Sequence, residues 1–400
     1  GGVGPAWSRR RWAYVPPAGL AAPASAVPYA ELHCHTNFSF LQGASHPEEL
    51  VEEAVRLGLE ALAVTDRNGF YGVVRFAEAA RAVGLPTVFG AEVSLLREGV
   101  GGADGPGGAP EGAPLVVLAR GPEGYARLAR ALSTAQLAGE KGAPRLTLDE
   151  LAALAPASAG SAGGSSAGSS GGWAVLTGGG QGPVAAALHA RGPAAAAREL
   201  DRLVEAFGVG AVHVELWDHG DPLDSPRNDA LADLAVRRGV GLVATNHVHY
   251  ATPARRRLAM ALAAVGARRS LEEADGWLPG GSGAHLRSGA EQARRFARYP
   301  GVVAAAAELG RSCAFDLRLV APNLPPYPCP DGLTEMAFLH RLVEEGASRP
   351  DRYGPRPGGN HQGGNHQAWA QIDHELAMID QLGFPGYFLI VWDIVRFCVT

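Results

Sequence analysis

Cysteine is scarce: the 400 residues hold four, Cys34, Cys313, Cys329 and Cys398, with no CxxC pair and no close, even framework. That excludes a thiolate zinc finger and a disulfide-stapled secreted domain, and it points to a reducing, cytoplasmic compartment. Charge is sparse and nearly balanced, 35 Lys and Arg against 40 Asp and Glu for a net charge of -5. A surface that is one continuous nucleic-acid or membrane footprint is therefore excluded, and any such contact must be local. Long apolar runs are missing too. The most apolar stretches, Leu258 to Ala267 and Phe384 to Val399, are too short to span a bilayer or are interrupted by Asp393, so no transmembrane helix is expected. The opening segment, GGVGPAWSRRRWAYVPPAG, lacks an initiator methionine and the unbroken apolar stretch of a secretory signal. It reads as an extended arm, residues 1–28, of a longer or processed chain.

What is present is material for a core, with 46% hydrophobic residues, far from a disordered composition. Glycine and proline, 54 and 29 residues, concentrate in three tracts: 99–113, 157–172, which is entirely Ala, Ser and Gly, and 355–367, which repeats GGNHQ. These are inserts or linkers that cannot build a core. The repeat sets His361 and His366 five apart, but neighbouring glycine and asparagine offer no rigid support for a metal ligand. Elsewhere β-rich runs alternate with amphipathic helical patterns. Strands are expected at Ala30 to His35, Ala61 to Thr65, Thr87 to Ser94, Leu115 to Ala119, Trp173 to Leu176, Val212 to Leu216 and Leu242 to Thr245. Helix starts are marked by Pro47 and Pro226, and Gly239 closes the second of these helices. Strand, helix, strand in repetition implies parallel strands joined by crossovers, and seven of them favour barrel-like closure. After about Arg311 the alternation gives way to a Pro-rich connector and three helical segments, the start of a second domain.

In such folds chemistry sits at the C-terminal ends of the strands. There the sequence places His33 and His35, which share one face about 6.6 Å apart because strand side chains alternate, then Asp66, Glu92, Asp218, His219 and a second HxH, His247 and His249. Imidazole mixed with carboxylate suits Zn, Mn or Fe, and a cluster of such ions positions and activates water against a phosphoester. The competing reading makes the histidines hydrogen-bonded strand ends. Cys34 reads as a small apolar residue, and His189 and His213 as structural.

The run YAELHCHTNFSFLQGASHPEELVEEAVRLGLEALAVTDRNGFYGVVRFAEAARAVGLPTVFGAEVSL resembles the polymerase and histidinol phosphatase (PHP) domain that opens bacterial C-family DNA polymerases. The segments VELWDHGDPLDSPRNDAL, TNHVHYATPARRRLAMALAAV, CAFDLRLVAPNLPPYPCPDGLTEM and HELAMIDQLGFPGYFLIVWDIVRF extend the resemblance, most closely to the error-prone, alpha-subunit-like branch of the DNA-damage response. It implies an α/β fold, a PHP-type seven-stranded β/α barrel over 29–310, followed at 311–400 by a linker and a mainly helical segment leading into the polymerase palm. It implies DNA-directed nucleotidyl transfer by the whole enzyme, with Mg²⁺ held by catalytic aspartates beyond Thr400, so that the 400 residues alone are inactive. Template-primer DNA and deoxynucleoside triphosphates follow as substrates, and a sliding clamp and damage-response accessory proteins as partners. Asp373, Glu375, Asp380 and Asp393 lie on helical patterns, the first three as solvated faces. Arg255, Arg256 and Arg257, with Arg9 to Arg11 in the arm, are candidate phosphate contacts.

Carried over residue by residue, the metal ligands are His33, His35, Glu92 and His249, with His247 in the place of an aspartate. Other positions depart from the pattern: Gln42 stands for an acidic ligand, Arg67 for a histidine, Gly178 and Gly179 stand where TGC would supply a cysteine, and no histidine opens the fourth strand near Ala113 and Pro114. A guanidinium about 5 Å from a divalent ion costs roughly 6 kcal/mol at an effective dielectric near 20. The expectation is a degraded, structural PHP module holding at most one weak Zn or Mn ion, with Glu92 pairing Arg67 as the metal-free option. The alternative is a metal-dependent phosphoesterase, a 3′–5′ exonuclease or a histidinol-phosphatase-like enzyme.

Overall fold

The computed structural model describes residues 14–23, 27–96, 113–140, 142–155, 172–274, 278, 281, 283–317, 326–330, 332–357 and 365–399. Arg9 to Arg11, His361 and nearly all of the first two low-complexity tracts lie outside the described residues. The chain divides into two compact units, Gly1–Leu317 and Arg318–Thr400.

The first unit is built on one seven-stranded sheet whose spatial order is the chain order: β1 (Ala30–Glu31), β2 (Ala61–Val64), β3 (Thr87–Leu95), β4 (Ala113–Ala119), β5 (Trp173–Leu176), β6 (Val212–Leu216) and β7 (Gly241–Ala244). All seven expected strands are present, the first confined to Ala30–Glu31 where Ala30 to His35 is expected. Their directions are not all as expected, for β4 runs antiparallel to both β3 and β5, while the remaining pairs are parallel. A parallel neighbour needs a crossover of a dozen or more residues, usually a helix. The segment between β3 and β4 is the Gly/Ala/Pro tract, which has no helix-forming pattern, so β4 returns beside β3 in the opposite sense. The sheet curls until its ends meet just past β1 and β7, where the His35 N–H donates to Val248 O at 2.8 Å and the Val248 N–H to His33 O at 2.7 Å.

Most strand residues are buried on both faces, all nine of β3 among them, because helices cover the outside and side chains fill the inside. The helix Pro47–Leu57 begins at its proline, with the Glu49 carboxylate accepting from the His46 N–H, and ends at Gly58 with φ 68°. The helix Asp224–Arg238 begins two residues before Pro226, not at it. Proline is tolerated there because first-turn N–H groups have no intrahelical partner. The chain stays with the first unit through Leu317: the Phe315 N–H donates to Thr87 O at 3.1 Å and Thr87 Oγ1 donates to Phe315 O at 2.9 Å.

The helix Val302–Cys313 lies directly on β1, and a side chain at Gly310 would place its Cβ 2.4 Å from the Ala30 Cβ. Gly310→Val is accordingly expected to lower stability by about 1–3 kcal/mol through overpacking, read as a lower urea midpoint. An unchanged midpoint would show that the helix can lift away without cost.

The second unit holds the helices Glu335–Ala347, His366–Gln381 and Pro385–Val399 around a small core of Phe338, Leu339, Leu376 and Leu389. Among the described residues no single helix is long and apolar enough to cross a membrane.

Candidate metal centre

Alternation past β1 turns His33 and His35 into the barrel and Cys34 away from it; all three are buried. The Nδ1 of His33 lies 2.7 Å from Glu215 Oε1 on β6, which leaves Nε2 facing Glu92 Oε2 at 3.2 Å. His35 is arranged in the same way, with Nδ1 3.0 Å from Ser39 Oγ and Nε2 3.4 Å from His33 Nε2 and 3.5 Å from Glu92 Oε2. His247, just after β7, stacks on His33 with ring centroids 4.0 Å apart and sets its Nε2 3.8 Å from Glu92 Oε2. One ligand atom from each of His33, His35, Glu92 and His247 falls within 4.8 Å of all the others. His249 lies at the edge of this group, its ring 5.1 Å from that of His35 and its Nδ1 3.2 Å from Gln42 O.

Without a cation the group shares a proton. Burial works against the charge on His33, but Glu215 and Glu92 outweigh it and push its pKa up to about 10. Burial likewise opposes a charge on Glu92, yet His35 and His33 hold its carboxyl well below the usual carboxylate range. Desolvation, with His33 next, keeps His247 neutral, and desolvation, with His35 next, lowers His249 to about 3. A carboxylate among imidazoles is a donor set for a divalent transition metal, which would take the place of the His33 proton.

Arg67 does not take Glu92 from the histidines. Its backbone N–H donates to Ser39 Oγ at 3.0 Å and its Nε approaches Ser94 Oγ at 3.4 Å. The expectation of Glu92 pairing with Arg67 is thus replaced by Glu92 surrounded by three imidazoles. Asp66 is not in the ligand group; it accepts from the Thr36 N–H at 2.8 Å and Ser39 Oγ at 2.8 Å, fixing the loop that follows His35. His219 points its Nε2 at Asn246 O, 2.7 Å away, and Asp218 Oδ1 accepts from the Gly220 N–H at 2.8 Å.

Three supporting residues escaped the sequence reading. Glu215 carries His33 and also accepts from Thr245 Oγ1. Glu31, fully buried, accepts from Tyr29 Oη at 2.7 Å, the His33 N–H at 3.0 Å and the Asn246 N–H at 2.9 Å, and burial raises its pKa to about 7. The buried Arg287 donates through Nη1 to Asp218 O at 2.7 Å and to Asn246 Oδ1 at 2.9 Å. A signal existed for Glu215: an acid inside the apolar strand VHVEL is costly to bury unless paired.

A cavity of about 770 Å³ opens beside the group, with Gln42, Trp217, Arg227, His247, His249 and Arg256 on its walls. Arg227 lies 3.6 Å from the centre of the Trp217 ring and ion-pairs with Asp224 at 2.7 Å. Of the three arginines expected at phosphates, Arg255 is engaged by Glu49, Arg256 faces this cavity and Arg257 is exposed on the helix Arg256–Ala267.

A curled seven-stranded α/β sheet with imidazoles and a carboxylate gathered inside it has the form of a PHP domain, and the PHP domain family profile matches residues 31–219. The profile described as the bacterial DNA polymerase III alpha NTPase domain matches residues 337–400. The error-prone DNA polymerase of Mycolicibacterium paratuberculosis is 54% identical over 98% of this chain and 34% of its own length. That of Mycobacterium tuberculosis strain H37Rv is 54% identical over 98% of this chain and 33% of its length, and that of Nocardia farcinica 49% identical over 100% and 36%. The chain is similar to an N-terminal part, the PHP domain and the start of the polymerase domain, of the C-family, polymerase III alpha-like error-prone DNA polymerases. It spans about a third of the length of these relatives.

Proposed function

We propose that the whole protein is an error-prone, DNA-directed DNA polymerase of DNA repair and damage-induced translesion synthesis, and that the present residues serve it as a PHP scaffold and an approach to the polymerase core. The observation that carries this is 54% identity maintained along 98% of the chain. On this reading Mg²⁺ acts at carboxylates outside these residues, on template-primer DNA and deoxynucleoside triphosphates, in the cytoplasm, with a sliding clamp and damage-response proteins as partners. Within the PHP unit, His33, His35, Glu92 and His247 hold a transition-metal ion whose part is structural, His249 packs against them, and Arg256 and Arg257 are the arginines placed to meet DNA phosphates. The deciding experiment is primer extension on undamaged and lesion-bearing templates by the full-length gene product, with the 400-residue chain as control. Extension by the full-length enzyme alone is expected; a full-length protein that leaves every primer unextended overturns the reading.

A second reading, a PHP phosphoesterase, is favoured by one observation, the 770 Å³ cavity that reaches His247 and His249. It predicts release of phosphate or of 3′ nucleotides in added Mn²⁺, lost in His33→Ala.

A further inference from the structure

Four of the six donor-to-donor separations, 3.2 to 3.8 Å, lie near those a single tetrahedral ion requires. With bonds of about 2.0–2.1 Å to nitrogen or oxygen, the ligand atoms around tetrahedral zinc lie roughly 3.3–3.4 Å apart. In this centre the His33 Nε2 to Glu92 Oε2 distance is 3.2 Å, His33 Nε2 to His35 Nε2 3.4 Å, His35 Nε2 to Glu92 Oε2 3.5 Å and His247 Nε2 to Glu92 Oε2 3.8 Å. Three imidazoles and one carboxylate suit zinc and its neighbours, whereas magnesium takes six oxygens.

His247 reaches this position by an unusual backbone. Its φ is 41°, in the left-handed region that a non-glycine residue seldom occupies. Its neighbours impose that turn. On one side the Asn246 N–H donates to Glu31, and its side-chain amide to Gly283 O and His285 O at 2.5 and 2.6 Å; on the other the Val248 N–H donates to His33 O at 2.7 Å. The imidazole then enters a space that exists because residue 179 has no side chain. A Cβ on Gly179 would stand 2.8 Å from His247 Nδ1 and 3.0 Å from Cε1. Gly179 is not among the residues with positive φ, so the room beside it, rather than its backbone, calls for glycine.

We propose that Gly179 and His247 are a matched pair: the missing side chain at 179 lets His247 act as the fourth ligand of a closed, four-coordinate site for one zinc-class ion. This rests on the reading that the group binds metal, and it deepens that reading. A tetrahedral ion held by all four side chains keeps no position for a nucleophilic water, which makes the ion a brace between the ends of β1, β3 and β7. The clash that a larger residue at 179 creates falls on the end of a side chain, not on backbone. The fold can therefore absorb the substitution by swinging the imidazole aside, and the metal site bears the loss.

The test strips the 400-residue chain with a chelator and titrates it with Co²⁺ and Zn²⁺. The wild type is expected to take one ion per chain and to show the intense visible bands of tetrahedral Co²⁺. Gly179→Ala is expected to weaken binding about 10–100-fold, the range for disturbing a ligand's orientation, with the thermal midpoint of the metal-free protein unchanged. His247→Ala should lose the intense bands. In the double variant Gly179→Ala, His247→Ala, the added methyl should cost nothing beyond His247→Ala, since it acts only through the imidazole. Gly179→Ala binding Co²⁺ as the wild type does, with the same spectrum, overturns the pairing while leaving metal binding in place. So does a wild type that takes several ions or shows only weak six-coordinate bands. A wild type that takes up no ion overturns the metal reading and this inference together, and neither result bears on primer extension.

Discussion

Glu215→Ala is expected to destabilise the metal-free protein by about 3 kcal/mol, the lower end of the ~3–5 kcal/mol typical for removing one partner of a buried ion pair. The physical reason lies in where His33 keeps its proton. Both side chains are wholly shielded from solvent and 2.7 Å apart. Burial alone would drive the proton off, but Glu215 and Glu92 together push the His33 pKa up to about 10. In the metal-free protein at neutral pH the proton on His33 is thus held between two carboxylates, and alanine at 215 leaves it supported from one side only. Glu92 remains, which keeps the loss from the top of the range. Thr245 Oγ1 also loses its acceptor. Glu215→Gln keeps an acceptor oxygen and should lose clearly less. Urea unfolding at pH 7 with a chelator present measures both, and a loss below about 1 kcal/mol for Glu215→Ala would show that His33 sheds its proton at little cost.

The residues that could be found from sequence and those that could not differ in a physical way. His33, His35, Glu92 and His247 announce themselves because polar side chains at the ends of apolar strands break a simple alternation. The strands themselves are legible because both faces are buried, which leaves short β-branched runs bounded by glycine and helix starts. Direction is not written in such a run, and the antiparallel β4 escaped for that reason. The clue lay in its surroundings, since a tract of Gly, Ala and Pro cannot supply a crossover helix. Glu215 escaped for the opposite reason: it sits mid-strand, where its only signature is a cost that some distant partner must offset, and that partner is 182 residues away. The departures at Arg67 and Gly179 were visible as substitutions, but read one at a time they suggested a site taken apart. Only in three dimensions does the Arg67 guanidinium turn toward Ser94 and the space beside Gly179 fill with the His247 ring.

Phe89→Ala is expected to lower stability by about 3–5 kcal/mol, the usual cost of emptying a buried aromatic site. Phe89 is fully buried on β3, and alternation turns it toward the covering helices while Glu92, three residues on, faces the barrel interior. It touches three aromatic rings: Phe76 at 6.0 Å, Tyr125 at 6.1 Å and Phe315 at 5.1 Å between centroids, all edge-on. Such edge contacts add about 0.5–1.5 kcal/mol to the area term. Phe315 lies beyond the last helix of the first unit, so the same ring that seats β3 also anchors the segment that closes the unit. Truncation should therefore be felt at both places. Urea unfolding is expected to show the lower midpoint, and limited proteolysis an earlier cleavage near Ala314 to Leu317. Because β3 presents Glu92, a loosened strand should also weaken Zn²⁺ uptake, whereas Phe89→Leu, which refills most of the volume, should restore both properties in part. Stability lost without faster cleavage at that segment would separate the core of the barrel from its closing strap, and would place the anchor of residues 314–317 in the hydrogen bonds between Phe315 and Thr87 instead.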